Sequence, residues 1–287
     1  MHKKNMCSTC GCGGAENGYR MYKPGEVHSH HHHEDAHHSH GHTHHHHDHT
    51  HSHDHGHSHS HSHDDHEHTH PSMPSVIEIE KEILDVNDKM AERNRGYFEA
   101  KGIIALNIVS SPGSGKTSLL ERTIKECSAK RKFYVIEGDQ QTDNDARRIA
   151  STGAVALQIN TGNACHLDAP MVHDALHKLK PEENSIVFIE NVGNLVCPAL
   201  FDLGEQNRVV VFSVTEGEDK PLKYPNMFNS ANICVINKTD LLPYLDFKIE
   251  LARENVKRVN PNATIIELSV KSGEGMQVWY KWLNIND

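Results

Sequence analysis

The sequence of 287 residues lacks several features that would assign it to other classes of protein. It contains no apolar run of 18 residues, so it predicts no membrane-spanning helix. Its formal net charge is −10 rather than positive, which argues against nonspecific nucleic-acid binding because that binding depends on cationic patches. Its first residues have the pattern of neither a signal peptide nor a membrane anchor, so we expect a soluble, cytoplasmic protein.

Aliphatic side chains are almost absent from residues 28–70, which hold 24 of the 28 histidines among Asp, Ser, Gly and Thr. Such a segment cannot bury enough apolar surface to offset its chain entropy, so we expect it to be disordered. An expression tag would be a short unbroken run, whereas these histidines are spread over 43 residues. The pattern indicates instead a bank of imidazole ligands for Ni²⁺, Zn²⁺ or Cu²⁺.

The sequence contains seven cysteines, and this odd number points away from a disulfide framework and toward metal chemistry. Three of them, Cys7, Cys10 and Cys12, lie within six residues and are followed by Gly13 and Gly14, which let the chain wrap around one ion. Thiolates at this spacing suit soft or borderline metals such as Zn²⁺, Ni²⁺ or Cu(I). A redox-active pair is the alternative interpretation.

Apolar runs and helical patterns alternate from residue 103 onward. This alternation predicts an α/β fold with a doubly wound, mostly parallel sheet, preceded by an amphipathic helix after residue 75. Strands are predicted at 103–109, 133–137, 154–159, 185–190, 209–214, 232–236 and 264–268. Helices are predicted at 116–130, 142–152, 168–179, 246–259 and 275–284. The apolar face of the preceding helix is predicted to carry Ile79, Ile83, Val86, Met90 and Tyr97.

A glycine-rich turn follows the first of these strands and opens a helix. In such a turn backbone N–H groups cradle phosphates, Lys116 reaches the β- and γ-phosphates, and the hydroxyl of Thr117 is available to Mg²⁺. Ser110 stands where the usual motif has its first glycine, but the cradle itself is intact. The phosphate-binding residues are predicted to be Gly113, Ser114, Gly115, Lys116, Thr117 and Ser118.

A second motif, Asn237-Lys238-Thr239-Asp240, directly follows the apolar run at 232–236 and predicts selection of the base. The carboxylate of Asp240 can accept from both the ring N–H and the exocyclic amine of guanine, a pair of donors that adenine lacks. GTP and GDP are therefore the expected ligands. The loop after the last strand, Ser269-Val270-Lys271, fits the segment whose backbone N–H reaches the guanine carbonyl.

Two acidic residues, Asp139 and Glu190, end the second and fourth predicted strands, at the sheet edge where ligands bind in such folds. A Mg²⁺ ion that bridges phosphates needs carboxylates in addition to Thr117. We therefore predict Thr117, Asp139 and Glu190 as Mg²⁺ ligands, and Lys116, Asp139 and Glu190 as the catalytic residues. The alternative is that either acid only caps a strand or a helix.

Few residues near this edge are suited to accelerate hydrolysis. No arginine is obviously poised as a catalytic finger, although Gln140 and Gln141 are candidates to orient a water molecule. We therefore expect slow hydrolysis, on the order of 10⁻⁴ to 10⁻² per second. Gly193, just past the predicted Mg²⁺-facing acid, suits a mobile switch segment because glycine tolerates backbone change.

Cys165 and His166 lie in one predicted loop, and Cys197 follows the segment that begins at Glu190. These three ligands are one short of a closed tetrahedral Ni²⁺ or Zn²⁺ site, so the fourth would be water or a group from a second subunit. A metal here would touch a segment that senses the γ-phosphate. The alternative is two loop cysteines beside an unrelated histidine.

Six motifs occur together in this chain: 7–12 (CSTCGC), 110–117 (SSPGSGKT), 137–143 (EGDQQTD), 161–168 (TGNACHLD), 189–198 (IENVGNLVCP) and 216–221 (EGEDKP). This combination resembles the HypB family, the nickel-incorporation GTPases of hydrogenase maturation. The resemblance implies a SIMIBI-class P-loop GTPase that forms a metal-regulated, GTP-dependent homodimer and helps to deliver nickel to the [NiFe]-hydrogenase large subunit. It implies a HypA-type metallochaperone as partner, with the nickel-binding SlyD as a further candidate.

We therefore expect three parts: a cysteine metal motif at 1–27, a histidine-rich metal-binding segment at 28–74, and a GTPase domain with its preceding helix at 75–287. Two other functions fit some of the same residues. Urease-accessory GTPases share the nucleotide loops but lack the cysteine triplet and the segment around Cys197. A nickel store or buffer would need only the histidine-rich segment.

Overall fold

The computed structural model describes residues 19–24, 76–140, 144–162 and 164–285. The cysteine triplet, the histidine-rich segment and Gln141 lie outside the described residues. The expectations about them therefore remain predictions.

In the described residues, eight strands form one sheet in the order β1-β4-β3-β5-β2-β6-β7-β8. Neighbouring strands are parallel except β1 and β4, which pair antiparallel with Arg20 opposite Asn160. The strands are β1 Arg20–Tyr22, β2 Ile104–Ser110, β3 Phe133–Asp139, β4 Val155–Asn160, β5 Ile186–Glu190, β6 Asn207–Ser213, β7 Ile233–Asn237 and β8 Thr264–Glu267.

Helices cover both faces of the sheet, because strands buried on both sides must be packed on both sides. Helices α2, α3 and α8 pack on one face, and α1, α4, α6 and α7 pack on the other. No helix in the described part of the chain is long and apolar enough to cross a membrane. The helices are α1 Val76–Ala100, α2 Lys116–Cys127, α3 Asn144–Ala150, α4 Ala169–Leu179, α5 Lys220–Lys223, α6 Pro225–Asn229, α7 Ile249–Val259 and α8 Met276–Trp282.

This architecture confirms the predicted doubly wound, mostly parallel α/β fold. The seven predicted strands begin and end within two residues of the observed ones. Five short elements were missed: β1, the helices α5 and α6, and the 3₁₀ helices Cys197–Leu200 and Thr239–Tyr244. Each has only three to six residues, which is too few to produce a readable periodicity.

The apolar face predicted for α1 is partly wrong. Val86 is 60% exposed, and the buried stripe consists of Asn87, Ala91, Asn94 and Phe98. These positions recur at intervals of four, three and four residues. The helical spacing was therefore predicted correctly, but the face of the helix that is buried was not. The buried face was not recognised because two of its residues are polar and do not stand out as part of an apolar stripe.

The two buried asparagines attach α1 to neighbouring backbone. Asn87 donates to the carbonyl of Asp202 at 2.8 Å and accepts from the N–H of Ala169 at 2.9 Å. Asn94 donates to the carbonyls of Ala169 at 2.9 Å and Leu203 at 3.1 Å. Such side chains satisfy backbone groups that an aliphatic residue would leave unpaired.

We expect Asn94→Ala to lower the free energy of unfolding by about 2 kcal/mol, because it leaves buried carbonyls of Ala169 and Leu203 without their donor. Urea denaturation followed by circular dichroism measures the change. Lys89→Ala on the exposed side of the same helix is the control and should change the stability by less than about 0.5 kcal/mol. Equal stability of the two variants would show that these hydrogen bonds do not hold the helix.

Candidate nucleotide and metal sites

The carboxyl ends of the parallel strands surround an open cavity of ≈ 520 Å³. Its floor is the glycine-rich turn between β2 and α2, and its sides come from the ends of β3 and β5. The lining residues are 110–118, 137–140, Asp145, Arg148, 192–193 and Lys238. The predicted phosphate-binding residues therefore lie together with Asp139 and the start of the predicted switch segment.

The glycine-rich turn is held against the loop that follows β7. Gly113 and Gly115 have φ values of +77° and +94°, a region that favours glycine. A Cβ at position 115 would lie 2.4 Å from Nδ2 of Asn237. Asn237 donates through Nδ2 to the carbonyl of Ser114 at 2.8 Å, and Lys238 donates to the carbonyl of Gly113 at 2.7 Å. The two predicted nucleotide motifs thus form one unit.

The backbone conformation at Ser110 explains why the motif tolerates a serine in place of its first glycine. The residue still belongs to β2 and does not have a positive φ. Its hydroxyl donates to the carbonyl of Ser111 at 2.8 Å. A glycine is therefore not required at this position.

Glu190 is fully buried at the end of β5, beside the start of α2. Its Oε1 accepts from the hydroxyl of Thr117 at 2.6 Å and pairs with Nζ of Lys116 at 2.6 Å. Its Oε2 has no hydrogen-bond partner among the described residues. A buried carboxylate oxygen beside a threonine hydroxyl is a hard-oxygen donor set of the kind that Mg²⁺ takes, so these residues fit the ion.

A second buried carboxyl, Glu137, lies opposite Glu190 in the register of β3 and β5. Burial, together with the nearby Glu190 carboxylate, raises the pKa of Glu137 to about 9, although Lys116 opposes the shift. Sequence analysis did not select this residue, although an acid within the apolar run before Asp139 was a visible signal.

Glu216, in the loop after β6, supports the glycine-rich turn and was also missed as a functional residue. Its Oε1 accepts from the hydroxyl of Ser114 at 2.7 Å and from the N–H of Ser213 at 2.9 Å. Its Oε2 pairs with Lys220 at 3.1 Å. Burial alone would raise the pKa of Glu216, but these hydrogen bonds outweigh it and hold the pKa below its usual range.

The predicted base-binding residues lie in adjacent loops. The hydroxyl of Ser269 donates to Oδ1 of Asp240 at 2.6 Å, and the N–H of Val270 donates to Oδ1 of Asn237 at 3.3 Å. Lys271 is exposed beyond them. The Asp240 carboxylate is thereby oriented by a neighbouring hydroxyl, as a base-reading acceptor needs to be.

Arg148 also lines the cavity, although the sequence predicts no arginine poised near the phosphates. It extends from α3 and pairs with Glu121 at 2.6 Å and Asp145 at 3.0 Å. It also donates to the hydroxyl of Ser118 at 3.2 Å. Gln140, a candidate to orient water, lines the same cavity.

The three predicted metal ligands of the domain come together. The ligand atoms of Cys165, His166 and Cys197 lie within 4.8 Å of one another. The two Sγ atoms are 2.7 Å apart, and Cys165 Sγ is 3.8 Å from Nδ1 of His166. The imidazole is stacked on Phe201, and burial lowers its pKa to about 4. It is therefore neutral at physiological pH and can offer a lone pair to a metal.

The segment 190–197 connects the residues of the nucleotide cavity to the three predicted metal ligands. Oδ1 of Asn191 accepts from the N–H of Leu167 at 3.0 Å, in the loop that carries Cys165. Asn194 donates to the carbonyl of Cys165 at 3.4 Å. The first residue of the segment contacts the glycine-rich turn and the last is a predicted metal ligand.

A phosphate-type glycine-rich turn, a buried acid beside it and an Asn-Lys-x-Asp loop at one edge of a parallel sheet define a P-loop protein of the GTPase type. Residues 104–267 match the family described as CobW/HypB/UreG, nucleotide-binding domain.

Comparison with individual proteins narrows the family to which the chain belongs. The hydrogenase maturation factor HypB of Rhizobium leguminosarum bv. viciae is 58% identical over 215 residues, which cover 75% of this chain and 72% of that protein. HypB of Escherichia coli (strain K12) is 55% identical over 212 residues, covering 74% and 73%. The crystal structure of HypB from Helicobacter pylori in complex with nickel has a TM-score of 0.66 and 40% identity, covering 69% of this chain and 93% of that one. The chain belongs to the HypB family of hydrogenase maturation factors, which confirms the resemblance.

We expect Glu216→Gln to weaken the binding of GTP about tenfold, because a neutral amide holds Ser114 and Ser213 less strongly than a carboxylate. Isothermal titration calorimetry measures the affinity. Glu218→Gln changes a carboxylate that accepts from the N–H of Lys248 outside the turn, so it is the matched control and should bind GTP normally. An unchanged affinity for Glu216→Gln would mean that the turn keeps its shape without this support.

Proposed function

We propose that the chain is a GTP-hydrolysing nickel metallochaperone for the maturation of [NiFe]-hydrogenase, in which the nucleotide state controls metal transfer. Membership of the HypB family supports the hydrogenase role, and the nickel complex of a relative supports the metal. The observation that carries the coupling is the segment 190–197, which runs from Glu190 beside Lys116 to Cys197 beside Cys165.

GTP is proposed to bind with its phosphates on the glycine-rich turn and its base at Asp240. Thr117, Asp139 and Glu190 would hold Mg²⁺, which when bound neutralises charge on the phosphates. Lys116 would exchange its Glu190 partner for the phosphates, since both compete for one ammonium group. With these residues alone, GTP hydrolysis is expected to be slow unless a partner protein accelerates it.

The exchange at Lys116 offers a physical cause for movement of the segment. Once Lys116 turns to the phosphates, the buried Glu190 carboxylate loses its cation and its surroundings must adjust. A Cβ at Gly193 would lie 3.4 Å from Pro112 of the glycine-rich turn, so the segment passes close to the site of the γ-phosphate. Movement there would reposition Cys197 relative to the other metal ligands.

Cys165, His166 and Cys197 are proposed to bind Ni²⁺ or Zn²⁺, both of which accept mixed thiolate and imidazole ligands. A fourth ligand from water or from a second subunit would close the site. Val196 and Leu200, each 60% exposed, flank Cys197, and exposed apolar side chains of this kind favour contact with another protein surface. A homodimer that depends on GTP or on metal is therefore part of the proposal.

The remaining parts of the proposal rest on the sequence. Cys7, Cys10 and Cys12 in 1–27 would bind metal, residues 28–74 would store it, and 75–287 would hydrolyse GTP. A HypA-type metallochaperone, SlyD and the hydrogenase large subunit are the proposed partners, in the cytoplasm. If the chain were only a nickel buffer, GTP would have no effect on its metal affinity. If it had a urease-accessory role, deletion of its gene would lower urease activity rather than hydrogenase activity.

We expect Asp240→Asn to lower the preference for GTP over ATP by at least about 100-fold, because an amide cannot accept from both guanine donors. It should also raise the relative affinity for the xanthine nucleotide, whose C2 carbonyl can accept from the amide. Competition binding with the three nucleotides measures this. Asp246→Asn, an exposed acid nearby, is the control. An unchanged preference in Asp240→Asn would exclude Asp240 as the base-reading residue.

We expect Cys197→Ala to abolish the coupling between nucleotide and metal while leaving nucleotide binding intact in metal-free buffer. In the unsubstituted chain the nickel affinity should differ about 5- to 150-fold between GDP and a non-hydrolysable GTP analogue. Both chains should lack residues 28–70 and carry serine at Cys7, Cys10 and Cys12, so that β1 is kept. Cys127→Ala controls for loss of a buried thiol. Equal affinities in both nucleotide states would exclude the switch.

A further inference from the structure

Two histidines on the surface of α4 lie one helical turn apart and converge. His173 and His177 bring their Nε2 atoms to 3.0 Å, with the two imidazole planes at 84°. His177 is exposed, and His173 is half-buried where α4 packs on α1. Residues four apart on a helix share one face, so the helix itself holds the two rings together.

The neighbouring Asn94 determines which nitrogen of His173 carries the proton. Asn94 is fully buried, and its Nδ2 donates to two backbone carbonyls, those of Ala169 and Leu203. Its amide orientation is therefore fixed, and Oδ1 faces Nδ1 of His173 at 3.0 Å. An oxygen can only accept, so Nδ1 of His173 carries the proton and Nε2 presents a lone pair toward His177.

This arrangement has the features of a metal ligand with its supporting contact. Imidazoles that bind metal donate their other ring N–H to an oxygen, which fixes the ring orientation and the tautomer. An ion about 2.0–2.1 Å from two nitrogens that are 3.0 Å apart would see them at an angle of about 90°. That is the angle of neighbouring ligands in square-planar or octahedral coordination, whereas a tetrahedral ion prefers a wider separation.

We propose that His173 and His177 form a further metal site, which binds Ni²⁺ or an ion of similar tetragonal preference such as Cu²⁺ through both Nε2 atoms. The remaining coordination positions are open to water, so the ion is exchangeable. Of the charged residues beside His173, Asp174 favours a cation and Arg93 opposes it. The site shares no residue with Cys165, His166 and Cys197, and its existence does not depend on the function proposed for them.

Without metal the same spacing is that of a hydrogen bond between the rings. His177 then donates its Nε2–H to the lone pair of His173. When an ion binds, the proton of His177 moves from Nε2 to Nδ1 by exchange with water, and both Nε2 atoms become ligands. The competing interpretation is a hydrogen-bonded pair that never takes a metal.

Crystals of the full chain grown with Ni²⁺ and measured at the nickel absorption edge test the proposal. We expect an anomalous peak about 2.1 Å from both Nε2 atoms. The peak should be lost in His177→Gln and kept in Lys178→Gln, an exposed neighbour on the same helix. Absence of the peak, or its survival in His177→Gln, overturns the proposal whatever the occupancy at Cys165 and Cys197.

Solution NMR of the full chain with ¹⁵N-labelled histidine gives a second measurement. In metal-free protein His173, assigned by comparison with His173→Gln, should show the tautomer protonated at Nδ1. Titration with Ni²⁺ should broaden the His173 and His177 signals together, and His177→Gln should require at least about tenfold more nickel to broaden His173. Protonation at Nε2 of His173, or unchanged broadening in His177→Gln, contradicts the proposal.

Discussion

The buried contact between Lys116, Thr117 and Glu190 is the interaction on which the functional edge of the molecule depends. A fully buried carboxylate is costly unless it is paired, and here the pairing comes from the first two residues of α2. The parallel order of β2 and β5 brings these groups together, because both strands end at the same edge. The segment that leads to Cys197 begins at this carboxylate, so the cluster lies at the start of the stretch of chain that ends in a predicted metal ligand.

Most of the fold, and the positions of many candidate site residues, could be predicted from the sequence for a physical reason. Strands buried on both faces are continuous apolar runs, and in a parallel sheet the residues that follow them must share one edge. The position of Asp139 and Glu190 followed from that rule alone. Glu216 and Arg148 could not be predicted in this way, because their roles come from contacts with Ser114 and Ser118 that are distant in sequence. The phase of α1 was hidden because its buried face is partly polar.

The polar contacts between α1 and α4 have two consequences at once. The amide of Asn94 satisfies backbone carbonyls, and in doing so it fixes its own orientation toward His173. A contact that stabilises packing thereby also sets the chemistry of a surface side chain. Such a link is difficult to detect in a sequence, since a buried asparagine and an exposed histidine pair have no recognisable pattern when they are far apart along the chain.

The antiparallel pairing of β1 with β4 has a consequence for the histidine-rich stretch between residues 25 and 75. Because β1 and α1 both belong to the sheet domain, the chain between them connects two elements of one domain. The entropy cost of closing such a connection grows slowly with its length, by about 0.6 kcal/mol for each doubling. The number of histidines can therefore change greatly during evolution at little cost to the stability of the domain.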